Sequence, residues 1–281
     1  MARLACPVRR CGASLAPSEK GALVCANGHA FDVARSGYVN FLQPQDRRSK
    51  NPGDSREAAA ARRRLAEAGF ETSMWNALAE ELATLDGLSD RGAGPLAVAD
   101  VGCGEGYFLG SLAAGRPMDA YGLDISSPAI EMAARKYPGP TWLVANADRF
   151  LPWQDGSVDA VLSITSRRNA GECHRVLTVS GRLIVAVPAE DDLIELREAL
   201  MGVGTRKDRA AAVIEELAPF FEIVSRRSLR RRDRVAAAHV QDLLATTYRG
   251  GRPSRRAQAD ALGDMDLTFS REVLVFRKWQ R

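Results

Sequence analysis

Three cysteines and a histidine near the start of the chain have the types and spacing that hold a metal. Cys6, Cys11, Cys25 and His29 read C-x4-C-x13-C-x3-H, two close pairs divided by a spacer long enough for a hairpin. Thiolate and imidazole ligands in two clips suit the tetrahedral Cys3His arrangement of structural zinc. With all four positions filled by protein, such an ion activates no water; its binding energy stands in for the core that so short a segment cannot build. The competing reading makes Cys6 and Cys25 small core residues and His29 a surface side chain, and it needs four permitted spacings to coincide by accident. Cys103 and Cys173 lie far off in sequence, and five cysteines make a poor disulfide framework because one must stay unpaired.

A second chemistry is written in AVADVGCGEGYF, where Asp100, Gly102, Gly104 and Gly106 fall between an apolar run and a helical pattern. Glycines at alternate positions let the backbone approach a ligand that any Cβ would obstruct. Dinucleotide folds set their third glycine one step later, in G-x-G-x-x-G, to seat a pyrophosphate at a helix N-terminus. Here no cluster of phosphate ligands follows, and the acid ahead of the turn suits a cationic amino-acid moiety such as a methionine-derived cofactor carries. The next strand ends in Leu123-Asp124-Ile125, where a carboxylate can accept both hydroxyls of a ribose, a position that nicotinamide enzymes use too. Asn146 follows the third strand, where a side-chain amide can pair with an adenine edge, and Ser163 and Ile164 line the mouth after the fourth. Any one of these residues could serve an ordinary turn or helix cap. All of them at strand C-termini mark a ligand site, because open α/β sheets bind there by topology.

The elements that must position these groups are legible in the pattern of apolar runs. From Leu96 onward, LAVADV, AYGLDI, TWLVA, VDAVLSI and GRLIVAVP alternate with helical stretches, which predicts an α/β fold with a parallel sheet covered on both faces. ELAPFFEIVSRRSL and MDLTFSREVLVFRKW read as two further strands closing the sheet as an antiparallel pair. Upstream, Asp54 or Ser55 can cap a helix through REAAAARRRLAEAG, with a second helix in SMWNALAEELATL. Three regions follow: a zinc-binding module over 1–44, a linker with helices over 45–90, and the large domain over 91–281. The apolar share of 46% is ordinary for a globular protein, and the net charge of +4 gives little weight to a polyanionic partner on its own. No signal sequence and no membrane-spanning run are expected, which points to the cytoplasm and to no membrane partner.

The chain resembles the ribosomal RNA guanine-N1 methyltransferases, a family that holds both housekeeping enzymes and macrolide-resistance determinants of antibiotic producers. The likeness covers most of the chain and rests on NGHAFDVARSGYVNFL, on PGDSREAAAARRRLAEAG, and on VADVGCGEGYF with GLDISSPAIEMAARKYP. It implies a Rossmann-like class I S-adenosylmethionine-dependent methyltransferase with a small N-terminal zinc-binding domain. It also implies zinc on Cys6, Cys11, Cys25 and His29, cofactor contacts from Gly106, Tyr107 and Asp124, a homodimer, and a 23S ribosomal RNA hairpin near the peptide tunnel as substrate. Three positions depart from the family pattern: Phe70-Glu71 replaces a His-Tyr pair, Thr165-Ser166-Arg167-Arg168-Asn169 lacks a proline, and Asp192 replaces a histidine.

Methyl transfer to nitrogen is an in-line displacement, and positioning alone can supply roughly 7 to 11 kcal/mol of its barrier. Guanine N1 carries a proton at neutral pH, so a base, or a donor that stabilises an anionic O6, should help. A duplex buries N1, so the target must lie in a loop or be flipped out. Arg168 and Asn169, after the fourth strand, are the candidates for catalysis and base recognition, with Arg168 read equally well as an exposed helix-start residue. Arg47, Arg48, Lys50, Arg226-Arg227, Arg230 to Arg232 and the arginines between Arg252 and Arg256 could bind phosphates. Two rival readings stand beside this one: a small-molecule methyltransferase on the same fold, and an RNA-binding protein with a decayed site.

Overall fold

The computed structural model describes residues 4–19, 21–46, 52–86, 94–202, 204, 206–246 and 259–279. Three short antiparallel strands, β1 (Leu15–Pro17), β2 (Leu23–Cys25) and β3 (Ala30–Phe31), form a ribbon that brings the two clips together. After it, β4 (Val39–Asn40) leaves the ribbon and joins the main sheet, and helices α1 (Arg56–Glu67) and α2 (Thr72–Ala83) follow. The expected cap of α1 is Ser55, whose Oγ accepts the Ala58 N–H at 3.2 Å.

The alternating part then runs β5 (Leu96–Val101), α3 (Tyr107–Gly115), β6 (Met118–Asp124), α4 (Ser127–Lys136), β7 (Thr141–Val144), β8 (Val158–Ile164), α5 (Ala170–Val176) and β9 (Leu177–Pro188). It ends in α6 (Ile194–Met201), α7 (Arg209–Leu217), β10 (Phe221–Val235), α8 (Ala237–Ala245) and β11 (Met265–Lys278). The eight-stranded order is β10-β11-β9-β8-β5-β6-β7-β4, parallel from β4 to β9, with β11 antiparallel to both neighbours. Every residue of β5 is buried, as a strand covered on both faces requires. The chain leaves β5 for β6 on one side and returns to β8 on the other, so a crevice opens between the C-termini of β5 and β8.

Among the described residues the buried side chains of the ribbon belong to the core of the large domain. Cys6, Cys25, Phe31 and Phe41 belong to one buried cluster with Tyr121, Leu143 and Trp153. Val39 pairs with Leu143 and Asn40 with Val144, while Leu4 bridges to Trp153. On the other side α1 packs against α8, held by Arg64 forking onto Asp242, and Leu65, Leu243 and Phe269 make a small apolar cluster. These helices roof the crevice.

Candidate active site and metal centre

The ribbon gathers Cys6, Cys11, Cys25 and His29 so that one ligand atom of each lies within 4.8 Å of all the others. His29 Nδ1 stands 3.4 Å from both Cys6 Sγ and Cys25 Sγ, and Cys11 Sγ stands 3.9 Å from Cys25 Sγ. Zinc bonds of about 2.3 Å to sulfur and about 2.0 Å to nitrogen imply tetrahedral edges of about 3.8 Å and about 3.5 Å. The three separations match those edges closely, and the four residues are grouped as a tetrahedral zinc site requires. The Asn27 amide donates to Cys11 Sγ at 3.2 Å, and together with a backbone hydrogen bond from Ala13, the larger influence, it lowers that thiol to about 6. Cys11 is the ligand at the wide clip, and it ionises more readily than Cys6, whose thiol burial raises.

At the crevice, the turn from β5 into α3 is bolted to the end of β6. Gly102 N and Cys103 N both donate to Leu123 O, and Gly104 N donates to Asp124 Oδ2 at 2.9 Å. Ser126 N holds the other oxygen of Asp124 at 2.8 Å, so the carboxylate is fixed while each oxygen keeps a lone pair for a ribose hydroxyl. Burial raises the Asp124 carboxyl, and these two amides oppose the rise. Gly106 is indispensable for packing: its φ is +80°, and a Cβ there would sit 2.5 Å from the Trp142 ring and 2.7 Å from Ala133 Cβ.

These elements enclose a cavity of about 680 Å³. Eight carboxylate residues line it, namely Asp46, Asp54, Glu71, Asp100, Glu105, Asp124, Asp148 and Asp192, against three arginines, Arg62, Arg167 and Arg271. Such a wall favours a cationic ligand. Asp100 decides the point more sharply: it is buried, and its Oδ1 has no hydrogen-bond partner among the described residues. An isolated buried carboxylate is costly unless a cation or donor meets it. Burial first, then the charges of Asp124 and Glu105, push this carboxyl up to about 8. The ammonium of a methionine-derived cofactor is the missing partner that such a group fits.

The comparisons with known proteins agree with this geometry. Residues 99–185 match the family described as Methyltransferase domain, and residues 4–50 match the family described as RlmA, N-terminal, a zinc ribbon. A 23S rRNA (guanine(748)-N(1))-methyltransferase of Streptomyces fradiae is 38% identical over 81% of this chain and 78% of its own length. Proteins of Micromonospora griseorubida and Bacillus subtilis, each named "Putative 23S rRNA (guanine-N(1)-)-methyltransferase", are 34% and 37% identical. They cover 86% and 69% of this chain and 84% and 67% of their own lengths. This chain belongs to the 23S rRNA (guanine-N1)-methyltransferase family. Its methyltransferase domain takes S-adenosylmethionine, and its ribbon carries structural zinc.

Within this methyltransferase the expected site residues divide. Asp100, Gly102, Gly104, Tyr107, Asp124, Ile125 and Asn146 line the cavity. Gly106 lies beneath it as a packing residue. Ser163 is fully buried and contacts Ser166 Oγ at 3.0 Å; it is Ser166, bonded to Val101 O at 2.5 Å, that reaches the cavity wall. Asn146 is already engaged, with Nδ2 donating to Asp46 O and Oδ1 accepting from Asp148 N.

Arg168 and Asn169, the residues expected to act in catalysis and base recognition, are not among those lining the cavity. Arg168 points to α7 and pairs with Glu216 at 2.8 Å, and Asn169 caps α5 by accepting from Glu172 N while donating to Asp148 O. Their neighbour Thr165 turns the loop instead, at φ +51°, a strained value for a β-branched residue. Sequence reading missed Arg62, Glu71 and Arg271 as cavity residues. Glu71 and Asp192 were legible only as departures from a family pattern, and Arg62 and Arg271 carried no local signal.

The β10 arginines are also not free. Arg226 pairs with Glu272, Arg227 with Glu80, and Arg230 with Asp191. Arg231 approaches Asp233, and Arg232 approaches Glu195. Arg47, Arg48, Lys50 and the arginines between Arg252 and Arg256 lie outside the described residues. No helix of the described residues is long and apolar enough to cross a membrane.

Proposed function

We propose that the enzyme methylates N1 of a guanine presented in a hairpin loop of 23S ribosomal RNA, working as a cytoplasmic homodimer of the kind that includes macrolide-resistance determinants. The observation that carries the reading is an acidic cavity at the strand ends of a sheet whose core the zinc ribbon shares, the combination matched by both families and by the relatives named for this reaction.

S-adenosylmethionine supplies an electrophilic methyl carbon. Asp100 would hold its ammonium and Asp124 its ribose hydroxyls, while Arg62, a cavity-lining cation whose guanidinium lies beside Gly104, would meet its carboxylate. The roof of α1, α8 and Leu243 keeps water from the reacting atoms. An acidic cavity repels phosphate, so only the extruded base enters, and the RNA backbone stays outside on the arginines of β10. An exposed ion pair such as Arg227–Glu80 is worth only about 0 to 1 kcal/mol, so a phosphate can replace its carboxylate partner at little expense.

The test is transfer of labelled methyl from S-adenosylmethionine to unmethylated 23S ribosomal RNA, with the modified nucleoside identified by mass spectrometry. The expected product is 1-methylguanine at one site, reduced by more than about 100-fold with Asp124→Ala. Cofactor binding without incorporation into RNA would move the assignment to a small-molecule acceptor.

A further inference from the structure

The cavity carries a carboxylate that none of the foregoing roles uses. Of the eight cavity carboxylates, Asp46 pairs with Arg149, Asp54 with Arg62, Asp148 with Arg167 and Asp192 with Arg271. Asp100, Glu105 and Asp124 belong to the glycine loop and the strand ends that take the cofactor. Glu71 remains. It stands at the start of α2, where its side chain makes no capping hydrogen bond, and it has no ion pair among the described residues. It faces Arg271 on β11, Asp192 in the turn after β9, Arg231 on β10 and Arg62 on α1, with Glu105 and Tyr107 across the cavity.

Arg271 is itself fixed, because Asp192 takes its guanidinium while also accepting Ser270 N at 3.0 Å. The cavity wall therefore presents an unpaired carboxylate beside an oriented guanidinium. The Watson-Crick edge of guanine presents the complement: N1–H and N2–H donors beside the O6 acceptor. Adenine, with an acceptor at N1 and a donor at N6, mismatches both.

Resting on the functional reading above, we propose that Glu71 is the catalytic base that takes the proton from guanine N1, with Arg271 donating to O6 and Asp192 positioning Arg271. The proton on N1 passes to a Glu71 oxygen, and the electron pair left on N1 forms the bond to the methyl carbon. The carbon–sulfur pair stays with sulfur as a neutral thioether, and the proton leaves Glu71 to water when product departs. Arg271 offsets the negative charge that gathers on O6 as the proton moves. Burial raises the Glu71 carboxyl above its ordinary range, Arg271 opposing, and a raised carboxyl is a stronger base toward the N1 proton.

Glu71→Gln, nearly isosteric, tests this in the full-length zinc-loaded protein with 23S ribosomal RNA as acceptor. Expected results are a kcat lower by about 100- to 10,000-fold, a KM for RNA and a calorimetric affinity for S-adenosylmethionine close to wild type, and loss of the rise in log kcat with pH that wild type shows below the Glu71 ionisation. Glu71→Asp should restore part of the rate together with the pH dependence. A Glu71→Gln enzyme that keeps both the rate and the pH profile overturns this assignment alone. A wild-type enzyme that methylates no RNA overturns the functional reading and the assignment with it.

Discussion

At the foot of the glycine loop, Asp100 is a residue whose cost to the fold and use to the site are the same fact. The folded protein holds its carboxyl at about 8 against an ordinary 3.8 because burial, Asp124 and Glu105 all disfavour the charge. The folded state thus binds a proton that the unfolded state has released, so stability falls as pH rises from about 4 toward 8 and levels off above. Asp100→Asn should therefore raise the melting temperature of the cofactor-free protein, most at alkaline pH, while abolishing S-adenosylmethionine binding. In the wild-type protein an incoming ammonium favours the ionised form, so cofactor binding at neutral pH should expel a proton. Calorimetry in buffers of different ionisation enthalpy measures that proton, and binding heats that do not vary with buffer would sink the pairing of Asp100 with the ammonium. Asp100 was legible in the sequence because its chemistry follows from an acid ahead of a glycine turn. The capping by Asn169 and the pairing of Arg168 with Glu216 were not, since nothing local to that loop says that α7 will lie beside it.

Among the elements, β4 couples the metal centre to the catalytic sheet. Its two residues pair with β7, directly beside the β6 end that holds Asp124, and the ribbon side chains share one cluster with Trp153 and Tyr121. Binding of structural zinc is worth about 10 to 16 kcal/mol in small modules, comparable to the whole stability of a domain at about 5 to 15 kcal/mol. Chelation should therefore melt the ribbon and, through β4, lower the melting temperature of the methyltransferase domain in a single cooperative transition that zinc reverses. Two separate transitions by scanning calorimetry, with the second unmoved by chelator, would mean that the shared core does not couple them. β10 illustrates another constraint: as the last strand of the sheet it needs charge along its free edge to deter pairing with other chains, and its arginines supply that charge whatever else they bind.

Carboxylates outnumber arginines around the cavity while arginines recur along β10, each of them set against a carboxylate, under a net charge of only +4. A single-stranded RNA ligand releases counterions with a slope of about −0.7 in log affinity against log salt for each phosphate contacted. Replacing Arg230 and Arg232 together by alanine should make that slope shallower by about 1.4, leaving cofactor affinity unchanged; an unaltered slope would remove the β10 edge from the RNA surface. The sequence by itself determined the ribbon ligands, the glycine loop with its two acids, and nearly every element of the alternating domain. Each of these is written in spacing or periodicity over a few neighbouring residues. Only the tertiary structure decided that β4 joins the sheet edge, that Arg168 and Asn169 face away from the cavity, and that Glu71, Asp192 and Arg271 meet on its wall. Those three residues are separated by much of the chain, and their meeting depends on β11 pairing with β9 while the start of α2 reaches the cavity wall, a relation that no local pattern encodes.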